Sequence, residues 1–99
     1  MTPAQRHMEL VARAGCCLGN RRLHVCEGRF HVHHIATGSG KRSDFSTACL
    51  CWSGHEGPAG IHGMGTKAFL RLYGLSSEYD LLVMANEDIA KLRVREKPA

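Results

Sequence analysis

Seven histidines and five cysteines fall in a chain of 99 residues, and they are clustered. The stretch "HVHHI" (31–35) sets three imidazoles between two apolar residues, and "SGHEGPAGIHG" (53–63) adds His55 and His62. Cys16, Cys17 and Cys26 precede the first stretch, and Cys49 and Cys51 follow it. Imidazole and thiolate are the ligands that zinc and similar divalent ions prefer. Imidazole also takes a proton from water near neutral pH. The residue types therefore point to metal binding and to acid–base chemistry.

Two cysteine groups flanking a hairpin can converge on one tetrahedral zinc. Such a staple suits a domain too small for a large core. Cys17, Cys26 and Cys51 are the preferred ligands. The fourth is Cys49, Cys16 or His55, and without a C-x-x-C pair the spacing leaves that choice open. His7 and His24 stand alone and read as ordinary surface or hydrogen-bonded histidines. His33 and His34 are adjacent, so on a regular strand they face opposite ways. For both to serve one site, the strand must end or bulge there. One of the pair can then ligate an ion while the other activates water. His55 and His62 can complete the shell, and three histidines leave positions open for water and a substrate oxygen.

The elements that must position these groups are readable in outline. Thr2-Pro3-Ala4-Gln5 has the form of a capping box with proline at the first helical position. Met8, Leu10, Val11 and Ala14 follow, and Gly15 can end the helix, which predicts a helix over 3–14. Residues 16–29 read as a basic, cysteine-bounded loop. Residues 30–35 and 45–52 read as two strands of a hairpin joined by the basic turn 37–43. The five glycines and the proline of 53–65 exclude regular structure throughout that stretch. Thr66 is expected to cap a helix "KAFLRLY" ended by Gly74. Ser77-Glu78-Tyr79-Asp80 is expected to cap another, running to about Arg93, with Leu82, Ala85, Ile89 and Leu92 on one face. The expected class is α+β in one domain over 1–99, with its core in about 10–85 and a frayed tail at 94–99.

The formal charge of +4 suits a polyanionic partner. No run approaches the ~18 apolar residues of a membrane span. The odd cysteine count and the polar opening "MTPAQRHMEL" favour a reducing cytoplasm over secretion.

"VHHI" in a cysteine-flanked hairpin, followed by "LCWSGH", resembles the HNH branch of the His-Me finger nucleases. The segments "VARAGC", "VHHIATGSGKRSD", "LCWSGHEGPAGIHGMGTKAFLRLYG" and "DLL" are similar, in order, to the small phage and prophage recombination-enhancement nucleases of the Ref type. The similarity covers roughly residues 10–85. It implies a zinc-stapled ββα-metal core with an N-terminal helix and two C-terminal helices.

The resemblance implies a metal-dependent DNA endonuclease that hydrolyses phosphodiester bonds. It implies His34 as general base and His33 as the neighbouring metal ligand. His55 falls on the last histidine of the HNH pattern and His62 on that of the family's "IHG", both facing the catalytic ion. Asp44 or Ser43 lies near the family's orienting asparagine. Gly54 stands where relatives place cysteine or histidine, three residues after Cys51. Three imidazoles suit Zn²⁺, Mn²⁺, Co²⁺ or Ni²⁺ better than Mg²⁺. Lys41, Arg42, Lys67 and Arg71 are the cations expected along DNA, with Arg21, Arg22 and Arg29 extending the footprint. Trp52 reads as hairpin packing. The expected partners are DNA, a recombinase and a second copy of the chain, with no membrane, in the cytoplasm of a bacterial host. The alternative is a zinc-stapled nucleic-acid-binding module without catalysis, in which His34 is idle.

Overall fold

The computed structural model describes residues 1–36 and 42–98. Helix α1 (Pro3–Ala14) begins as its sequence predicts. The Thr2 hydroxyl accepts from the Gln5 amide at 3.1 Å, and the Thr2 amide donates to the Gln5 side chain at 2.8 Å. Gly15 ends it with a φ of +84°, open to glycine at little cost. A single turn, α2 (Cys17–Asn20), follows inside the expected loop.

Strands β1 (Phe30–His34) and β2 (Thr47–Cys51) pair antiparallel, with Phe30 opposite Cys51 and His34 opposite Thr47. The second strand is shorter than its sequence suggests. Phe45 is exposed, and Trp52 opens a one-turn helix, α3 (Trp52–His55). Trp52 lies over Gly28, where an added Cβ would stand 2.5 Å from the Trp52 Cβ.

A two-stranded sheet cannot stand alone in water. Here β2 is buried along its length because helices cover both faces. Ala48 and Leu50 join Leu18, Ile35, Ile61, Phe69, Leu81 and Ala85 in one cluster. Cys49 joins Val11, Ala14, Ile89 and Leu92 in the other. The long helix α6 (Tyr79–Arg95) serves both clusters in succession along its length. It buries Leu81 more deeply than the expected Leu82.

The glycine-rich stretch folds back on itself. After α3 the chain turns and enters another one-turn helix, α4 (Ile61–Met64). A Cβ on Gly63 would stand 1.9 Å from the Gly57 carbonyl oxygen, and one on Gly60 would meet the His55 and Gly54 backbone at 2.8–2.9 Å. Only glycine permits this approach, and it is what sets His62 beside His55. Helix α5 (Thr66–Tyr73) then starts at Thr66 itself. Gly65 holds the N-cap position and no side chain caps the helix, which corrects the cap expected of Thr66. Gly74 closes α5 in the left-handed region.

Arg21 is not available to widen a DNA footprint. Its guanidinium donates to Asp88 at 3.0 Å, to Glu87 at 2.9 Å, and to the Cys17 and Met84 carbonyls. Asp88 is 5% exposed and also accepts from the Asn20 amide. This network ties α2 to α6. Arg21→Ala strands a buried carboxylate and is expected to lower unfolding stability by about 2–3 kcal/mol. Urea denaturation would read the loss, and an unchanged midpoint would contradict it.

Candidate metal centres

Two groups of metal-ligating side chains converge, one at each end of α3. The first comprises Cys16, His24, Cys26 and Cys51, whose ligand atoms lie within 4.8 Å of one another. Cys16 stands at the N-cap of α2, Cys51 at the end of β2, and His24 and Cys26 on the intervening loop. His24 Nε2 is 3.5 Å from the Cys16 sulfur, 3.6 Å from that of Cys26 and 3.4 Å from that of Cys51. A tetrahedral zinc with ordinary Zn–S and Zn–N bonds requires sulfur–nitrogen edges of about 3.6 Å. The group therefore fits zinc in both donor chemistry and spacing.

Neighbouring groups prepare each ligand. His24 Nδ1 lies 3.2 Å from the Tyr73 hydroxyl; in the tautomer that zinc ligation through Nε2 requires, Nδ1–H donates to that hydroxyl and the Nε2 lone pair faces the sulfurs. Burial lowers the His24 pKa and keeps the ring neutral. Cys26 is exposed as a residue, but local desolvation beside the Cys16 and Cys51 sulfurs pushes its thiol up. Burial raises Cys51 too, but the Ser53 hydroxyl at 3.1 Å and the Gly54 and Glu27 backbone bring it down to about 7. Of these two thiols, Cys51 is the more readily ionised. Gly19 leaves room for the centre, because a Cβ there would stand 2.3 Å from the Cys26 sulfur.

This ligand set corrects the one expected from sequence. Cys26 and Cys51 are in it, Cys16 takes the place expected of Cys17, and His24 takes the fourth. Cys17 enters α2 and turns into the core, where burial raises its thiol pKa. Cys49 faces the opposite cluster, with its thiol raised to about 12 by burial. The missed signal was "HVC", with His24 two residues before Cys26. Gly54 belongs to the same arrangement: a side chain there would meet the His24 ring at 2.9 Å.

The second group comprises His33, His55 and His62, with ligand nitrogens within 4.8 Å of one another. Their ring centroids lie 5.1 Å (His33–His55), 5.3 Å (His33–His62) and 4.6 Å (His55–His62) apart. Three neutral imidazoles fit an ion such as Zn²⁺ or Mn²⁺, with modest ring rotation to close the trio. Burial, helped by repulsion from His33, His62 and His31, holds His55 down to about 4. Burial also lowers His33, opposed by Glu78 and aided by His62 and Arg42. Both rings are therefore neutral at pH 7, with a lone pair to offer.

Glu78, which reads from sequence only as part of a helix cap, reaches His33 Nε2 at 3.2 Å. A carboxylate only accepts, so Nε2 carries the proton and Nδ1 is left for a metal. Glu78→Gln is expected to weaken Co²⁺ binding at the histidines by about tenfold. The cobalt spectrum of the cysteine centre should not change, and equal weakening at both centres would contradict the link.

His34 is the last residue of β1, which stays regular to that point. His33 and His34 therefore face opposite sides, and no bulge turns them together. His34 Nε2 donates to Asp44 at 2.9 Å, which leaves its Nδ1 lone pair free. The Thr47 hydroxyl fixes the Asp44 carbonyl at 3.0 Å. The Ser43 hydroxyl instead accepts from the Phe45 amide, so of the two orienting candidates Asp44 is the one that reaches His34.

Arg42 is exposed and close enough to repel a charge on His33. Lys67 and Arg71 are exposed one turn apart on α5. Lys41 lies outside the described residues. No helix among the described residues is long and apolar enough to cross a membrane. No protein-family model matches the chain, and searches of curated proteins and of solved structures also return no match.

Proposed function

We propose that the chain is a metal-dependent DNA endonuclease of the His-Me finger kind, built on a ββα-metal core. The single observation that carries this reading is the hydrogen bond from His34 to Asp44, one residue beyond the ligand histidine His33 at the end of β1. A pure binding module has no use for a carboxylate-oriented imidazole next in sequence to a member of a three-histidine trio.

The chain's own groups supply most of the chemistry. His34 accepts the proton of the attacking water on Nδ1, and Asp44 stabilises the imidazolium that forms. His33, His55 and His62 hold the divalent ion, with Glu78 fixing the His33 tautomer. A bound ion supplies charge stabilisation for the phosphoryl oxygens as the leaving 3′ oxygen departs. Arg42, Lys67 and Arg71 hold backbone phosphates without reading sequence. The Cys16, His24, Cys26 and Cys51 centre holds a structural zinc that anchors β2 and α3. The similarity to Ref-type nucleases supports a role in phage or prophage recombination beside a recombinase, in a bacterial cytoplasm. With a small domain and a net charge of only +4, the chain is expected to need that partner or a second copy for tight binding.

The test is nicking of supercoiled plasmid in Mg²⁺ and then Mn²⁺, with zinc already at the cysteine centre. Conversion to open circle that stops on chelating the added ion supports the reading. DNA binding with no cleavage in any divalent ion, with or without a recombinase, favours the binding module.

A further inference from the structure

His31 is the imidazole of "HVHHI" that the nuclease reading leaves unused. It lies two residues before His33 on β1, hence on the same face. Its Nδ1 is 2.9 Å from Nδ1 of His55, with ring centroids 5.1 Å apart. Glu56 Oε1 lies 3.9 Å from that same His55 nitrogen. The three donor atoms all fall within 4.8 Å of one another. We propose that His31, His55 and Glu56 form a second divalent-cation position, alternative to the His33, His55 and His62 position and sharing His55 with it. The inference rests on the histidine cluster binding an ion and not on DNA cleavage.

The chemistry of the donors supports it. Two imidazole nitrogens at 2.9 Å share one proton, since one must donate to the other. Replacing that proton with an ion turns both lone pairs inward. The nitrogen–nitrogen edge then opens only to about 3.3 Å, the value for tetrahedral Zn–N bonds. The Glu56 side chain is more than half exposed and free to swing in. Two imidazoles and one carboxylate make a facial set with open positions. The carboxylate also gives this position a negative charge that the three-histidine position lacks, so it favours harder ions such as Mn²⁺. A neutral imidazole has one lone pair, so His55 serves one position at a time. The five residues together hold one ion.

The test is titration of the zinc-loaded full chain with Mn²⁺ and Co²⁺, read by calorimetry and Mn²⁺ resonance. Wild type should take one equivalent beyond the cysteine-bound zinc. His62→Ala, and His62→Gln as a second variant, should still take one equivalent. Adding His31→Ala or Glu56→Ala to either should weaken that binding by more than about 100-fold, beyond what losing an outer-shell partner costs. His62 is exposed, and retained cysteine-bound zinc with an unchanged melting temperature checks the fold of each variant. Loss of all added binding in both His62 variants overturns the proposal. So does a wild type that binds two ions at the cluster, or none. Normal ion binding without plasmid nicking leaves this proposal standing and sinks the nuclease reading instead.

Discussion

Cys26→Ser is expected to release the zinc and abolish the cooperative melting transition of the wild type. The magnitudes decide this. A structural zinc contributes on the order of 10–16 kcal/mol of apparent binding free energy at neutral pH. A domain of this size has about 5–15 kcal/mol of total stability. Losing the ion therefore exceeds what two small clusters on a two-stranded sheet can supply. The Cys26 side is also the less anchored one, because residues 21–29 carry no helix or strand of their own. Cys49→Ala is the paired control. It removes a buried sulfur from the second cluster, at about 1 kcal/mol, and should keep one zinc per chain. Zinc content and thermal melting measured together distinguish the two variants. Loss of zinc from Cys49→Ala would return Cys49 to the ligand set, as the sequence allowed, and retention of zinc by Cys26→Ser would remove Cys26 from it.

His34→Ala is expected to cut single-turnover plasmid nicking by about 10²–10⁴-fold, the usual contribution of a positioned general base. Asp44→Asn should cut it less, by about tenfold. The amide oxygen still accepts from Nε2 but no longer offsets the charge of the imidazolium. Neither variant should alter zinc content or melting, since His34 and Asp44 are partly exposed and outside both ligand sets. Equal nicking by His34→Ala and wild type would remove His34 from the reaction. A large Asp44→Asn effect with a normal His34→Ala rate would assign Asp44 a different role.

Local devices were legible in the sequence, and long-range choices were not. The capping box around Thr2 places α1 to the residue, because both of its hydrogen bonds are made within the first turn. The hairpin was legible from alternation, but β1 stays regular to His34, so the bulge that would turn His33 and His34 together is absent from it. The glycine-rich stretch was legible as irregular. Its two single-turn helices were not, because they depend on the close contact of Gly63 with Gly57 across the loop. Cys16 and Cys17 are neighbours with identical side chains. Both are buried; Cys16 sits on extended backbone at the helix cap and Cys17 enters the helix, and that local geometry decides which one faces His24, Cys26 and Cys51. His24 looked isolated because only Cys26 among its sulfur partners is near in sequence, the others lying 8 residues before it and 27 after it. Glu78 was hidden for the same reason, being 45 residues from the ring it holds.

Helix α3 has a consequence for how this chain can change in length. Cys51 stands at its head and belongs to the cysteine centre, while His55 stands at its foot and belongs to the histidine centre. Those four steps work as a fixed ruler between the two groups of metal-ligating side chains. One extra residue between them would swing His55 by about 100° and advance it by about 1.5 Å. Either centre could then keep its geometry only by giving up the other. Glycine-rich surface turns ordinarily absorb insertions without penalty. At 52–55 the residue count is fixed, even where a side chain such as that of Trp52 faces water.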